Sequence, residues 1–525
     1  MDRRSFTRRT LFVLVLAVAL VSGANLWAVA PPRHLTVLYT NDLHAQLDPI
    51  EATWLPGRPR VGGMEALSGL IARLRDGRQD VLLVDAGDLV TGPAVSTFTR
   101  GAAPFDLLDA MGYDALAIGN HEFDNSVPRL QELIWSTSVP VLAANIYWRG
   151  TDHRFARPYV LLHRAGLRVA VIGVIGSDAA LVTLPAQVRD LEFCDPAKEL
   201  RPLVEKLRPQ ADLVVVLAHE GKTGPMQLDA ESHPEAQRDF DTDVELAAAV
   251  PGIDVLVGGH AHRGIDPPYK ERTNGTIIVQ TFGHTTSLGV LDLRLNSEGK
   301  GVASYEGRLE RGWAEREQPM PEVARRAASW RATIAAMASQ PVCQATAPIT
   351  RDYAGPSALG NLVTDLMRER SKADVALYNA GGLRADLPAG AVTRGDVTAA
   401  LPFNNRLVVM RLKGDALRAA LEQGLSGEHG MLQQSGMAVR FNPRAPSGNR
   451  VVSVAVRGTP LDDQATYTVA TIDFLADGGD SYASLTRGER ASTSVETIAT
   501  EMTAWLRERG RVSPVSDPRT LPVPE

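Results

Sequence analysis

Five short motifs in this chain bring together carboxylates, imidazoles and an amide in the pattern a metal centre needs. They are Asp42-Leu-His44, Asp85-Ala-Gly-Asp88, Gly119-Asn120-His121-Glu122, His219-Glu220 and Gly258-Gly259-His260-Ala-His262. Carboxylate oxygen, amide oxygen and imidazole nitrogen are the donors that hard and borderline divalent cations take. Two such ions about 3.5–4 Å apart clamp the attacking and leaving oxygens of a displacement. Holding them that close calls for a shared carboxylate, and Asp88 is our choice for the bridge. Asp42, His44 and His262 complete one site, and Asn120, His219 and His260 complete the other. Two divalent ions are expected, with zinc, manganese and cobalt all open. They activate a water and spread the negative charge of a phosphoryl transition state. His121 directly follows a ligand, so it is assigned to the substrate side, as an acid or a charge stabiliser. Asp124, three residues on, is placed to orient it and raise its pKa.

Ligands scattered over some 220 residues need elements that bring them together. Each motif follows a short apolar run: Leu35–Tyr39, Val81–Val84, Ala115–Ile118, Leu213–Leu217 and Val255–Val257. A further run spans Val169–Ile175. Most are rich in Val, Leu and Ile without alternation, as strands covered on both faces are. Helical stretches such as Glu65–Arg75 and Ala197–Leu207 lie between them, the second carrying Pro202. This predicts a layered α/β domain over 34–315, with the motifs converging at carboxyl ends of strands. The other six histidines, His34, His153, His163, His233, His284 and His429, are expected at surface or core positions.

Asp-x-His, Gly-Asp, Gly-Asn-His-Glu, His and Gly-His-x-His, in this order, resemble the signature of calcineurin-like metallophosphoesterases. The resemblance covers 34–315 and implies a four-layer sandwich with two metal ions.

Pro319 and Pro321 then break the chain, and an Ala- and Arg-rich stretch inside 319–341 reads as a linker helix. From 342 to 515 a second α/β segment is expected. Ser357 can cap a helix with Leu359, Leu362, Val363 and Leu366 on its apolar face. Strands are expected at Val375–Tyr378, Leu407–Leu412, Val451–Val456 and Tyr467–Ala470. Three stretches there could carry function. In Asn379-Ala-Gly381-Gly382-Leu-Arg384, glycines let backbone approach a ligand and Arg384 can grip phosphate. Phe403, ahead of Asn405, and Phe474, ahead of Asp480, could sandwich a nucleobase. On the residues alone, core packing is the favoured reading of the two Phe and turn chemistry the plain reading of the glycines. Residues 516–525 read as a loose tail.

These segments resemble the C-terminal domain of the 5′-nucleotidase family. The resemblance implies that Phe403 and Phe474 stack the base and that Arg384 binds phosphate. It also makes Asn379, Asn405 and Asp480 polar substrate contacts. Members often carry a further Arg just before the helix near Ser357; here the nearest is Arg351. The expected activity is hydrolysis of nucleoside 5′-monophosphates, with UDP-sugars and dinucleotides as further candidate substrates. A 2′,3′-cyclic-nucleotide phosphodiesterase with 3′-nucleotidase activity and an inactive nucleotide-binding surface protein are the alternatives.

Composition narrows the setting. The chain has 525 residues, more than one core usually holds, and a net charge of −6. That balance argues against a nucleic-acid polymer as partner. Residues 1–30 are themselves basic, with Arg3, Arg4, Arg8 and Arg9, and continue into the apolar run Leu11–Val21. This is the layout of an export signal, cleaved or retained as a membrane anchor. Arg3-Arg4-Ser-Phe resembles a twin-arginine signal, which leads to a periplasmic, extracellular or cell-surface location. Contact with a membrane is expected only if the segment stays uncleaved. The two cysteines, Cys194 and Cys343, leave both free thiols and one bridge open.

Overall fold

The structure, a computed structural model, describes residues 34–221, 240–296 and 300–523. The basic, apolar N-terminal segment and His233 lie outside the described residues.

The six apolar runs are strands, and they divide between two six-stranded sheets. The first orders Val302–Arg311, Ser287–Leu295, His34–Thr40, Val81–Asp85, Ala115–Ala117 and Val141–Leu142. The second orders Tyr269–Lys270, Ile277–Val279, Val255–Gly258, Leu213–His219, Leu167–Ile175 and Tyr159–Arg164. In both, the motif-bearing strands pair in parallel. The sheets face each other, with Val37, Tyr39 and Val84 of one packed in a core with Val171, Val215 and Val257 of the other. On the outer side of the first sheet, Leu38, Leu83 and Leu116 lie under helices Met64–Arg75, Ala102–Met111 and Val127–Ser136. Behind the second, Ile172, Val214 and Leu256 lie under Pro196–Leu207 and Asp241–Ala249. Each central strand therefore buries both faces, which is why its residues do not alternate. The result is the expected four-layer α/β sandwich.

The second lobe is built on a five-stranded sheet, ordered Gln433–Ser435, Val375–Tyr378, Thr466–Ile472, Arg406–Lys413 and Glu489–Thr497. Helix Ala358–Ser371 starts where its cap requires: the Ser357 side chain accepts from the Gly360 N–H at 2.9 Å. All four residues of its apolar face are buried.

The helix expected within 319–341 spans Pro321–Ala338 and is docked on the first lobe, whereas the chain's end departs from expectation. Val323 and Ala327 join the core of the first lobe, while Arg326 pairs with Asp106 and Arg331 with Asp48. Residues 516–525 are not a loose tail over their described part. Thr520–Pro522 forms a parallel strand against Met437–Phe441. Asn361 Nδ2 donates to the Val515 and Asp517 carbonyls at 2.9 and 3.1 Å, and Arg519 pairs with Asp365 at 2.7 Å. A Pro- and Ser-rich composition hid these anchors because they lie in the backbone and in partners far along the chain. Both cysteines are free thiols.

Deleting residues 514–525 would leave the buried Asn361 amide without its acceptors. We expect this to destabilise the second lobe by about 1–3 kcal/mol. Scanning calorimetry on the full chain and the truncation checks it; coincident transitions would contradict the tail's structural part.

Candidate metal centre and substrate cleft

Asp42, His44, Asp88, Asn120, His219, His260 and His262 all stand at the carboxyl ends of strands, and all are buried. Three motifs come from the first sheet and two from the second, so the centre straddles both sheets. Asp42 Oδ1 lies 3.2 Å from His262 Nε2, and that nitrogen lies 3.1 Å from His44 Nε2. In the neighbouring cluster Asp88 Oδ2 and Asn120 Oδ1 each lie 3.2 Å from His219 Nε2. His260 offers a further nitrogen within 4.8 Å of the Asp88 and His219 ligand atoms.

The hydrogen bonds behind these rings fix which nitrogen points inward. His44 Nδ1 faces the Thr91 carbonyl at 2.8 Å, and His219 Nδ1 faces the Ala86 carbonyl at 2.8 Å. A carbonyl only accepts, so each Nδ1 carries the proton and each neutral Nε2 turns a lone pair into the centre. There the lone pairs meet oxygen acceptors, and Asp88 Oδ2 is buried without a hydrogen-bond partner. Acceptors facing acceptors out of reach of water repel unless a cation or a proton lies between them. The donor set thus fits two divalent ions.

Without metal, protons take that part. Burial works against a charged His219, but the neighbouring Asp88 outweighs it and carries its pKa to about 10. Burial would raise the Asp88 carboxyl; His219 and His121 hold it well below the usual range. Burial, with His219 alongside, takes His260 down to about 3, so this ligand is already neutral.

The backbone around the ligands is strained. Asp42, His44, Asp88, His260 and His262 all have φ between 46° and 66°. Such left-handed residues cost about 1–3 kcal/mol each and persist only where the surroundings enforce them. Glu122 supplies part of that enforcement. One of its oxygens accepts from the Asp88 and Gly119 N–H groups at 3.0 and 2.7 Å, and the other from Leu89 at 2.9 Å. Gly119 is required by close approach, since a Cβ there would overlap Asp88 Oδ1.

Beside the centre, His121 Nδ1 bonds Asp124 Oδ2 at 2.7 Å, as expected from their spacing. Its Nε2 meets Arg384 Nη2 of the second lobe at 2.9 Å. Burial lowers the His121 pKa, but Asp88 and Asp124 together raise it. The Arg384 contact belongs to the neutral ring, because a guanidinium only donates. A protonated His121 and Arg384 would be two donors facing one space, which suits an anionic oxygen between them.

A cleft of about 820 Å³, open to solvent, runs from this point between the lobes. It is lined by His121, Asp124, Asn379, Gly381, Gly382, Arg384, Phe403, Asn405, Phe474 and Asp480. All eight proposed substrate contacts therefore reach one cavity. The Arg384 guanidinium lies 5.5 Å from the Phe403 ring centre, and Asn379 Nδ2 donates to Asp480 Oδ2 at 2.7 Å.

Several residues were missed from sequence. Thr91 binds His44 through its carbonyl, and its hydroxyl donates to Asp124 Oδ2 at 2.7 Å. His284, expected at a surface or ordinary core position, stacks on His44 with ring centres 4.9 Å apart. His429, given the same reading, lines the cleft with Tyr353. Neither histidine sits in a strand-end motif. The remaining sequence signal was weak: His284 follows a glycine shortly after the strand Ile277–Val279.

Comparisons with known proteins agree with this geometry. Residues 35–264 match the calcineurin-like phosphoesterase family, and residues 334–487 the 5′-nucleotidase C-terminal domain. Protein UshA of Yersinia enterocolitica is 30% identical over 517 residues, covering 89% of this chain and 90% of that one. The human 5′-nucleotidase is 27% identical, covering 88% and 86% respectively. The crystal structure of a 5′-nucleotidase precursor from Thermus thermophilus superimposes with a TM-score of 0.81 at 29% identity, covering 94% of this chain and all of that one.

Because His219 holds a proton that an ion must displace, metal uptake should release protons and tighten as pH rises from 6 to 8. Zinc titration calorimetry in buffers of differing ionisation enthalpy measures this; buffer-independent heats would contradict it. Thr91→Val removes the hydroxyl and keeps the carbonyl. It should lower kcat about 10–100-fold with metal content unchanged, and Thr91→Ser should restore most of the loss.

Proposed function

Because the chain belongs to the 5′-nucleotidase family, we propose that the residues assembled above carry that family's reaction in this protein. It is a metal-dependent phosphoric ester hydrolase that releases phosphate from nucleoside 5′-monophosphates and uses two divalent ions. Asp42, His44 and His262 would hold one ion, Asn120, His219 and His260 the other, with Asp88 shared. When bound, the ions supply Lewis acidity, a nucleophile at neutral pH and neutralisation of phosphoryl charge.

The chain's own residues bind, orient and protonate. Arg384 and His121, in contact across the lobes, would separate to take phosphate oxygens between them. Asp124 fixes the His121 ring and favours its protonated form, leaving Nε2–H as donor to a phosphoryl oxygen or to the departing 5′-oxygen. Phe403 and Phe474 offer ring faces to the base, and Asn379, Asn405 and Asp480 its polar partners. One observation carries this reading: the metal-fitting centre opens directly into a cleft lined by those aromatic and amide side chains. UDP-sugars and dinucleotides, which present the same base and phosphate, belong to the proposed substrate range. We also propose export, on the basic and apolar character of residues 1–30.

The test is a substrate panel with the purified protein reconstituted with zinc, manganese or cobalt. AMP and UMP should release phosphate faster than 2′,3′-cyclic AMP; silence on every 5′-nucleotide would sink the proposal. His121→Ala should lower kcat about 10²–10⁴-fold. Phe403→Ala should raise KM for AMP while leaving p-nitrophenyl phosphate, which has no nucleobase, nearly unaffected. Equal effects on the two substrates would argue against a base clamp.

A further inference from the structure

We infer that His284 is a fifth ligand of the first metal ion, making the two sites of the centre unequal. The inference rests on the dinuclear reading above and adds a residue to it.

The geometry of three rings carries it. His44, His262 and His284 have centroid separations of 5.0, 4.9 and 5.1 Å, nearly an equilateral triangle. Imidazoles bind zinc at about 2.0–2.1 Å, which puts each ring centre about 3.2 Å from the ion. Two rings on one ion at angles of about 90–110° then have centres about 4.5–5.2 Å apart. All three separations fall in that window. So does the pair assigned to the second ion, His219 and His260, at 5.1 Å. One nitrogen from each of His44, His262 and His284 also lies within 4.8 Å of the others.

The backbone points the same way. Gly283, His284 and Thr285 are left-handed in succession, with φ of 78°, 50° and 61°. A β-branched residue rarely adopts that conformation, and strain of this kind collects at ligand-holding sites. The loop is tied to the loop that carries Asp42. The His284 N–H donates to the Asp42 carbonyl at 2.7 Å, and Thr281 N–H donates to Asn41 Oδ1 at 2.7 Å. The main chain that presents one ligand of the first ion thus also presents His284.

The consequence is an asymmetric pair. The first ion has three imidazoles and two carboxylates, Asp42 and the shared Asp88. The second has two imidazoles, the Asn120 amide and Asp88, and keeps more room for the reacting group. An imidazole-rich set favours borderline metals such as zinc and cobalt over magnesium or manganese. The first site should therefore fill first and empty last.

The experiment compares the full-length wild type with His284→Phe and His284→Gln. Phe keeps an aromatic ring against His44 but has no nitrogen, and Gln keeps polarity without an imidazole. Zinc affinity is read by chelator competition, and coordination by the visible absorption of protein loaded with one equivalent of cobalt(II). The wild type should show the weak bands of five-coordinate cobalt. His284→Phe should lower the affinity of the tighter zinc equivalent at least about tenfold and shift cobalt toward the stronger tetrahedral bands. A His284→Phe protein that binds zinc and cobalt like the wild type overturns the inference, since the ring then only packs. Should both variants fail to fold, the wild-type spectrum decides, and four-coordinate bands overturn it. A wild type that takes up no metal at all sinks the dinuclear reading and this inference with it, whereas two equivalents bound with wild-type affinity in every variant sink only the inference.

Discussion

Lone pairs converge among buried side chains at the floor of the cleft. Asp88, Asn120 and His219 turn acceptor atoms toward one another at 3.2 Å. Asp42 Oδ1 and the Nε2 atoms of His44 and His262 crowd together next door, at 3.2 and 3.1 Å. A folded chain tolerates such an arrangement only when positive charge fills it. Much of the first lobe can be understood as a frame that forces these atoms together. Two sheets end at one place, five of the proposed ligands are held left-handed, and Glu122 gathers backbone donors under the Asp88 loop. Burial on both faces of the central strands supplies the rigidity that keeps a strained loop from relaxing.

The second lobe answers a different physical need. A dinuclear centre handles phosphoryl charge but gives no grip on a base. The rings of Phe403 and Phe474, with the Asn379–Asp480 pair, line the same cleft and are the groups proposed to provide that grip. Arg384 is the link between the two functions. It belongs to the second lobe, touches His121 of the first and lies against Phe403. A substrate that reaches both walls must pass this contact. Helix Pro321–Ala338, packed onto the first lobe, sets where the second one starts.

Hydrogen bonds behind the proposed ligands set which ring nitrogen faces the centre. The carbonyls of Ala86 and Thr91 fix the tautomers of His219 and His44. Thr91 also holds Asp124, so one residue couples the metal centre to the His121 pair. Such a coupling leaves no sequence signature, because a carbonyl belongs to every residue.

The sequence by itself determined the kind of chemistry and most of the elements. Apolar runs that end in Asp, His or Asn announce strands with polar ends. The boundaries of Val375–Tyr378 and Val451–Val456 were legible as short strand-like runs. The Ser357 cap was legible too, since capping is a local interaction. Only the tertiary structure decided that two sheets share the centre, that the chain's end is a strand, and that His284 stands beside His44. The reason is physical. Strand, cap and ligand type depend on neighbours within a few residues, and composition carries them. Which ring lies 5 Å from which depends on how sheets stack and loops bend, and those contacts join residues 240 positions apart.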